Sequence, residues 1–535
     1  MLRKIDYRLG IDVGGTNTDA AILDSNLQCV ATAKFPTSDD IYSGIEQVIE
    51  HVLMQSGIHP EQIHYAMLGT TQCTNAIVER KGLDRVGLLR LSLPSSDSIP
   101  PLFGWSDEWR QTFGSHFYQL HGGYEFDGRE IHGVQYEEVM AACDKMRGQV
   151  ACIAICGVFS PVNNAQEQQV ASWVKAALPD VSLSLSHRIG SIGLLERENA
   201  TILNASLQST ARRFVQGFTQ ALSYHGIQAT PFFGQNDGTL MSEETVKQYP
   251  ILTLTCGPTN SVRGACHLSG LDNALVIDVG GTTTDIGVLV NGFPRESAIA
   301  VDVGDVRTHF RMPDIVSIGI GGGTCVRQSN EGDIELGPDS VGYRLLQESI
   351  SFGGETLTLS DVILQLDASR WIPELTEALP ELDKELCRKA YAKMIEQVEN
   401  AIDRMKSSGA PVPAILVGGG SILLPDTLCG TSQVVRPQHF DVANAIGVAL
   451  GQVGTQIDKV IRMPDGERDG IRDALYQQAI ALAEESGAVP GSVAIIDYQE
   501  IPLAYLPGNA VQVKIKAAGQ LAQRIAHQPG GDDGR

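Results

Sequence analysis

Three motifs that would place this chain in a familiar catalytic class are missing. There is no Cys-x-x-Cys pair among ten cysteines, no His-Glu-x-x-His among twelve histidines, and no Gly-x-x-x-x-Gly-Lys-Ser/Thr. The first absence argues against a structural zinc or an iron–sulfur cluster, the second against a helix-borne catalytic zinc or manganese, and the third against a P-loop. The thiols are scattered, which suits small core residues in a reducing compartment. Basic residues are scarce: 40 Lys and Arg face 63 Asp and Glu, for a net charge of −23. That balance, with no basic cluster, excludes nucleic acid and anionic membrane as natural partners. No apolar run approaches membrane-spanning length. The first residues, 1–6, lead into a strand without an apolar leader, so a cytoplasmic chain is expected.

Glycine is plentiful, and it is patterned. The phrase Asp12-Val13-Gly14-Gly15-Thr16-Asn17-Thr18-Asp19 returns as Asp278-Val279-Gly280-Gly281-Thr282-Thr283-Thr284-Asp285. Leu9 and Ile11 precede the first copy, and Leu275, Val276 and Ile277 the second. Each copy therefore reads as a strand, a tight turn and a return strand. One copy alone is an ordinary turn. Two copies with the same polar spacing suit a grip on a polyphosphate from both sides. Backbone N–H groups of Gly14, Gly15, Gly280 and Gly281 form anion nests, and Thr16, Asn17, Thr282 and Thr283 add side-chain donors. The leading carboxylates Asp12 and Asp278 suggest Mg²⁺, an ion commonly held by one or two carboxylates together with phosphates. Asp19 and Asp285 are expected to bond the turn or orient a metal-bound water.

A third glycine cluster, Gly418-Gly419-Gly420-Ser421, follows the apolar stretch Ala414 to Val417. Its backbone suits close approach to a nucleoside, with a plain strand-to-helix turn as the alternative. Residues 441–451 then carry small and apolar side chains at helical spacing, fit for close packing between two lobes. Two phosphate hairpins followed by such a loop resemble the actin, sugar-kinase and heat-shock ATPase superfamily. That resemblance implies an α/β fold of two ribonuclease-H-like lobes around a nucleotide cleft, with ATP and Mg²⁺ as cofactors.

Further segments resemble one branch, the ATP-binding subunit of the hydantoinase/oxoprolinase family. They run in order from Gly69-Thr70-Thr71-Gln72-Cys73-Thr74-Asn75-Ala76-Ile77-Val78-Glu79-Arg80-Lys81-Gly82 through Asn236-Asp237-Gly238-Thr239-Leu240-Met241-Ser242 to Gly257-Pro258-Thr259-Asn260-Ser261-Val262-Arg263-Gly264-Ala265. The glycine stretch 319–324 and the Leu357-Thr358 to Asp361 helix start continue the series. The chain departs from the family pattern at Asn17, Thr239, Asn260 and Ser261, the last two standing for a glycine pair. Thr70, Thr71, Thr74 and Asn75 sit where a strand enters a helix, a place for a substrate carbonyl or a transferring phosphate. Plain N-capping is the alternative. The resemblance implies ATP-dependent opening of a cyclic amide such as a hydantoin, lactam or 5-oxoproline, by phosphorylation of its carbonyl oxygen. Asp12, Asp278 and Asp237 are then the catalytic candidates, the first two through the metal and Asp237 by orienting substrate or water. A second, metal-containing subunit of the hydantoinase B type is an expected partner, and self-association is open. The alternatives are a small-molecule kinase of the same superfamily and a non-catalytic nucleotide switch.

At 535 residues the chain exceeds a single core. The order of motifs places a first lobe at 1–195, a second at 196–455, a small α+β region at 456–527 and a disordered tail at 528–535. Residues 196–222 read as one long helix crossing between lobes. Aromatics are few, yet Phe103, Trp105, Trp109, Phe113, Phe117 and Tyr118 gather within 94–128. That segment reads as a lid, a partner surface or buried loop packing.

Overall fold

Alternate residues of a strand share one face; Leu9, Ile11 and Val13 are at most 1% exposed on one side, and Gly10 packs against Ala445 and Ala449 on the other. In the computed structural model, Tyr7–Val13 lies deep in a nine-stranded sheet. The structure describes residues 6–522 apart from 38–40, 191, 298–300, 309–311, 330–331, 368–380, 465 and 504–508. The tail at 528–535 therefore lies outside the described residues. Tyr7–Val13 pairs antiparallel with Asn17–Leu23 and parallel with Ile63–Thr70, and Cys29–Pro36 closes that edge. The second sheet repeats the plan. Ala274–Val279 pairs antiparallel with Thr284–Val290 and parallel with Val412–Val417. The duplication seen in the residues is thus a duplication of sheet topology, and the fold is α/β with two lobes of one design.

Sheet membership does not follow the linear division at 195 and 455. Thr230–Gly234 and Leu240–Met241 extend the nine-stranded sheet, as do Val453–Arg462, Ala494–Pro502 and Ala510–Gly519. The C-terminal strands complete the first sheet. A separate four-stranded sheet, parallel throughout, is built from Val86–Leu93, Phe117–His121, Cys152–Gly157 and Ser182–Leu185.

The helix expected over 196–222 is two helices, Leu194–Ser206 and Gln208–Tyr224. Asp84 explains the break. Its N–H donates to the Ser206 carbonyl at 2.8 Å, and its Oδ2 accepts the Ser209 N–H at 2.9 Å. One residue thereby satisfies a helix end and the next helix start. The aromatic segment is packing. Trp105, Trp109 and Phe113 are buried with ring centroids 5.3–5.6 Å apart. Trp109 Nε1 donates to the Gly304 carbonyl, which ties the segment to the Val301–Val303 and Val306–Thr308 ribbon. No helix among the described residues is long and apolar enough to cross a membrane.

Two helices seal the lobes together, Cys256–Ser269 and Ala443–Ala449. They pack backbone to backbone, as the small residues at 441–451 predict. A Cβ on Gly447 would lie 1.8 Å from the Asn260 carbonyl oxygen, and one on Gly264 would lie 1.9 Å from that of Ala443. Glycine is required at both contacts because any side chain would hold the helices apart.

Candidate functional site

The two hairpins are superposable in their bonding. Asp12 stands opposite Asp19 and Asp278 opposite Asp285. Gly14 N–H donates to the Asn17 carbonyl at 3.0 Å, and Gly280 N–H to the Thr283 carbonyl at 2.8 Å. The tips meet: a Cβ on Gly281 would lie 2.8 Å from Thr16 Cγ2. Gly15, Thr282 and Thr283 face solvent there. The second tip is backed by the glycine stretch, since Gly322 and Gly323 N–H donate to the Gly280 and Gly281 carbonyls.

Below the tips each carboxylate is held from outside its own hairpin, and among the described residues no three acidic, histidine or cysteine side chains form a metal site by themselves. Asn260 Nδ2 donates to Asp12 Oδ1 at 3.0 Å, and Asn444 Nδ2 to Asp12 Oδ2 at 3.0 Å and Asp19 Oδ2 at 2.9 Å. Ser261 Oγ donates to Asp278 Oδ2 at 2.5 Å. Lys34 Nζ lies 2.7 Å from Asp19 Oδ1 and donates to the Asp441 carbonyl at 2.9 Å, joining the first hairpin to the second lobe. Lys34 lowers the cost of charge on both Asp19 and Asp278.

Burial is the dominant influence on all four carboxyls. It pushes Asp12 up to about 6, against the Asn260 and Asn444 donors and with help from Asp19 and Asp278. It raises Asp285 to about 6 despite Ser317, and raises Asp19 despite Lys34 and Asp278 despite Ser261. Oxygen ligands short of positive charge suit a hard divalent cation. A stability consequence follows with a definite sign. A carboxyl raised from 3.8 to about 6 on folding binds its proton more tightly in the folded state. Its contribution is therefore most favourable at acid pH and falls away as pH rises through about 6. Thermal melts at about pH 5 and about pH 7.5 are expected to show Asp12→Asn losing less stability than the parent over that interval. An equal loss in both proteins would contradict the assignment.

The glycine loop closes on the second hairpin. A Cβ on Gly418 would strike Asp278 Oδ1 at 2.2 Å, and one on Gly420 would meet the Gly280 carbonyl oxygen at 2.7 Å. These two glycines are explained by contact with protein, while the nearest atom to a Cβ on Gly419 would be Lys34 Cε at 3.6 Å. Ser421 is fully buried, and its hydroxyl has no hydrogen-bond partner among the described residues. Thr70, Thr71, Thr74 and Asn75 lie beside the first hairpin at the entry to Gln72–Glu79. Thr71 makes no side-chain cap; its Oγ1 donates instead to the Val13 carbonyl at 3.3 Å. Thr74 Oγ1 accepts the Thr255 N–H, tying this loop to the start of Cys256–Ser269.

Asp237 does not join the cluster. Its Oδ1 accepts Thr239 N–H and Oγ–H, and its Oδ2 accepts Gln456 Nε2 and lies 3.1 Å from Lys516 Nζ. Burial opposes its charge, but Lys516, Thr239 and Gln456 together hold the carboxyl at about 2. A carboxylate held this way joins the C-terminal strand Ala510–Gly519 to its loop. Sequence reasoning missed Lys34, Asn260, Ser261 and Asn444 as site residues. The available signal was at Asn260 and Ser261, two polar side chains in place of a glycine pair.

The profile for the hydantoinase/oxoprolinase N-terminal region matches residues 8–178, and the hydantoinase/oxoprolinase profile matches 197–407. The chain is 28% identical over 392 residues to the caprolactamase subunit alpha of Pseudomonas jessenii, covering 68% of this chain and 55% of that one. It thus spans little more than half of that relative's length. The crystal structure of ATP-dependent caprolactamase from the same organism matches with a TM-score of 0.74 at 20% identity, over 96% of this chain and 88% of that one. A nucleotide-free acetone carboxylase structure matches with a TM-score of 0.68 at 18% identity, over 98% and 89%. Both likenesses show a shared fold.

Proposed function

Since the chain belongs to the hydantoinase/oxoprolinase family, we propose that it is the ATP-handling part of an enzyme that opens a cyclic amide by phosphorylating its carbonyl oxygen. One observation carries this reading: two carboxylate-based hairpins meet tip to tip, Thr16 against Gly281, above buried carboxylates that Lys34 partly offsets. In it, the N–H groups and side chains of Gly15, Thr16, Asn17, Gly281, Thr282 and Thr283 bind the phosphates, while Gly14 and Gly280, whose N–H groups close the turns onto the Asn17 and Thr283 carbonyls, shape the two nests. Gly418 to Gly420 meet the nucleoside, with the fully buried Ser421 behind them. Asp12 and Asp278 hold Mg²⁺, which when bound neutralises charge on the transferring phosphoryl group. Thr70, Thr71, Thr74 and Asn75 orient the amide beside the first hairpin.

The chemistry answers a specific difficulty. An amide resists water because its nitrogen lone pair delocalises into the carbonyl. Attack of the carbonyl oxygen on the γ-phosphorus breaks the bond to ADP and leaves an imidate phosphate. Water then adds at carbon, the protonated ring nitrogen leaves as the C–N bond opens, and a second water hydrolyses the resulting acyl phosphate to carboxylate and phosphate. The chain's residues contribute by alignment and charge placement. The names of the relatives, a lactamase and a ketone carboxylase, share an activated carbonyl, so a ketone is the second substrate class to test. We also propose a second, metal-containing subunit for the hydrolytic step, in line with the relative's description as a subunit.

A phosphate-release screen over lactams, hydantoins, 5-oxoproline and simple ketones, with and without the partner subunit, checks this. A several-fold acceleration by one cyclic amide is expected. A slow basal ATPase that no carbonyl compound accelerates would contradict it.

A further inference from the structure

Asp12 ends a strand of the nine-stranded sheet and Asp278 a strand of the second sheet, yet neighbouring residues of one helix hold both. Asn260 and Ser261 are 3% and 2% exposed. Successive side chains on a helix diverge by about 100°, because 3.6 residues complete a turn. One helix lying between two sheets can therefore present adjacent residues to opposite sides. Asn260 reaches Asp12 and Ser261 reaches Asp278 in this way.

The helix itself is pinned. At its start, Cys256 Sγ donates to the Thr70 carbonyl at 3.3 Å, on the strand next to Asp12. Along its side, the carbonyl of Asn260 faces Gly447 and Gly264 faces the carbonyl of Ala443, both at distances that no Cβ would allow. The separation of the two carboxylates is thus set by this helix and not by the tips of the hairpins. Orientation is set too. Ser261 takes Asp278 Oδ2, and Oδ1 has no hydrogen bond among the described residues. Asn260 and Asn444 each take one oxygen of Asp12.

We propose that Asn260 and Ser261 are positioning residues that set the spacing and aim of Asp12 and Asp278 toward one shared divalent cation. The proposal rests on the nucleotide reading above and adds that metal affinity, separately from nucleotide affinity, depends on this single turn of helix. Neither side chain need touch the nucleotide. Their loss should therefore weaken the contribution of the ion and leave the contribution of the phosphate turns intact.

The test is the affinity of the full chain for ADP by calorimetry, once in excess EDTA and once in excess MgCl₂. The parent is expected to bind ADP more tightly with Mg²⁺. Ser261→Ala and Asn260→Ala should each lose about tenfold of that gain, the loss expected for a hydrogen bond to a charged group. Their ADP affinity in EDTA should match the parent's. Ser261→Thr should restore the gain, and Ser269→Ala, whose hydroxyl bonds only to the last turn of the same helix and to the Leu271 N–H just after it, should behave as the parent. If Asn260→Ala melts early, the Ser261 pair decides. Full retention of the Mg²⁺ gain in Ser261→Ala would overturn the proposal, and so would an equal loss with and without Mg²⁺, which marks a structural role. A parent that binds ADP without any Mg²⁺ gain overturns the shared cation alone. A parent that does not bind ADP overturns the nucleotide reading as well.

Discussion

Asp278→Ala is expected to lower Mg²⁺-dependent ATP turnover by at least about 10²-fold while leaving the protein folded, and Asp12→Ala to match it in turnover at a cost in stability. The difference between the two follows from their surroundings. Among the described residues Asp278 accepts one hydrogen bond, from the Ser261 hydroxyl, and a hydroxyl can turn to another acceptor. Removing a carboxylate whose burial disfavours its charge also relieves the folded state. Thermal stability of Asp278→Ala should therefore equal or exceed the parent's. Asp12 accepts two amide donors, and its loss leaves Asn260 Nδ2 buried without its acceptor. An unsatisfied buried donor costs on the order of 1–3 kcal/mol. Steady-state phosphate release with thermal melts separates the effects. Parent-like turnover in either variant would remove that aspartate from the site.

Gly447→Ala should be the most damaging single methyl in the protein. The added Cβ falls 1.8 Å from the Asn260 carbonyl oxygen, which is backbone and cannot swing aside. The helices Cys256–Ser269 and Ala443–Ala449 must separate, and with them the donors that Asn260 and Asn444 bring to Asp12. Overpacking of a tight core costs about 1–3 kcal/mol and more where backbone is struck. We expect a loss at or above the top of that range, about 3 kcal/mol, together with a fall in turnover. Gly470→Ala is the matched control. It lies exposed in Arg468–Glu485 with nothing near its missing Cβ, so helix propensity alone should stabilise by up to about 1 kcal/mol. Denaturant unfolding of the two variants checks the contrast, and similar values would refute the proposed helix contact.

The parts of the site that lie close together along the chain were legible in the residues. Asp12 to Asp19 and Asp278 to Asp285 are local hairpins, and apolar strands with Gly-Gly turns specify them without help from elsewhere. The close helix packing at 441–451 was legible for the same reason, since small residues at helical spacing have few other uses. What was not legible is the set of donors. Asn444 meets Asp12 and Asp19 from the far end of the chain, and Lys34 meets Asp441 across the lobes. No local pattern encodes such meetings. The partner of Asp237, Lys516, was likewise not legible, because it sits on the last strand, far from the Asp237 loop in sequence. Asp84 was silent likewise: nothing near it in sequence says that it splits the helix expected over 196–222.

The account turns on a nucleotide clasped by both hairpins at once, and a crystal structure with Mg²⁺ and a non-hydrolysable ATP analogue tests it directly. The expected density has β- and γ-phosphates between Gly14 to Asn17 and Gly280 to Thr283, with one ion reached by Asp12 and Asp278 and the base at Gly418 to Gly420. A nucleotide bound to one hairpin alone, or anywhere outside the meeting point of Thr16 and Gly281, would contradict it.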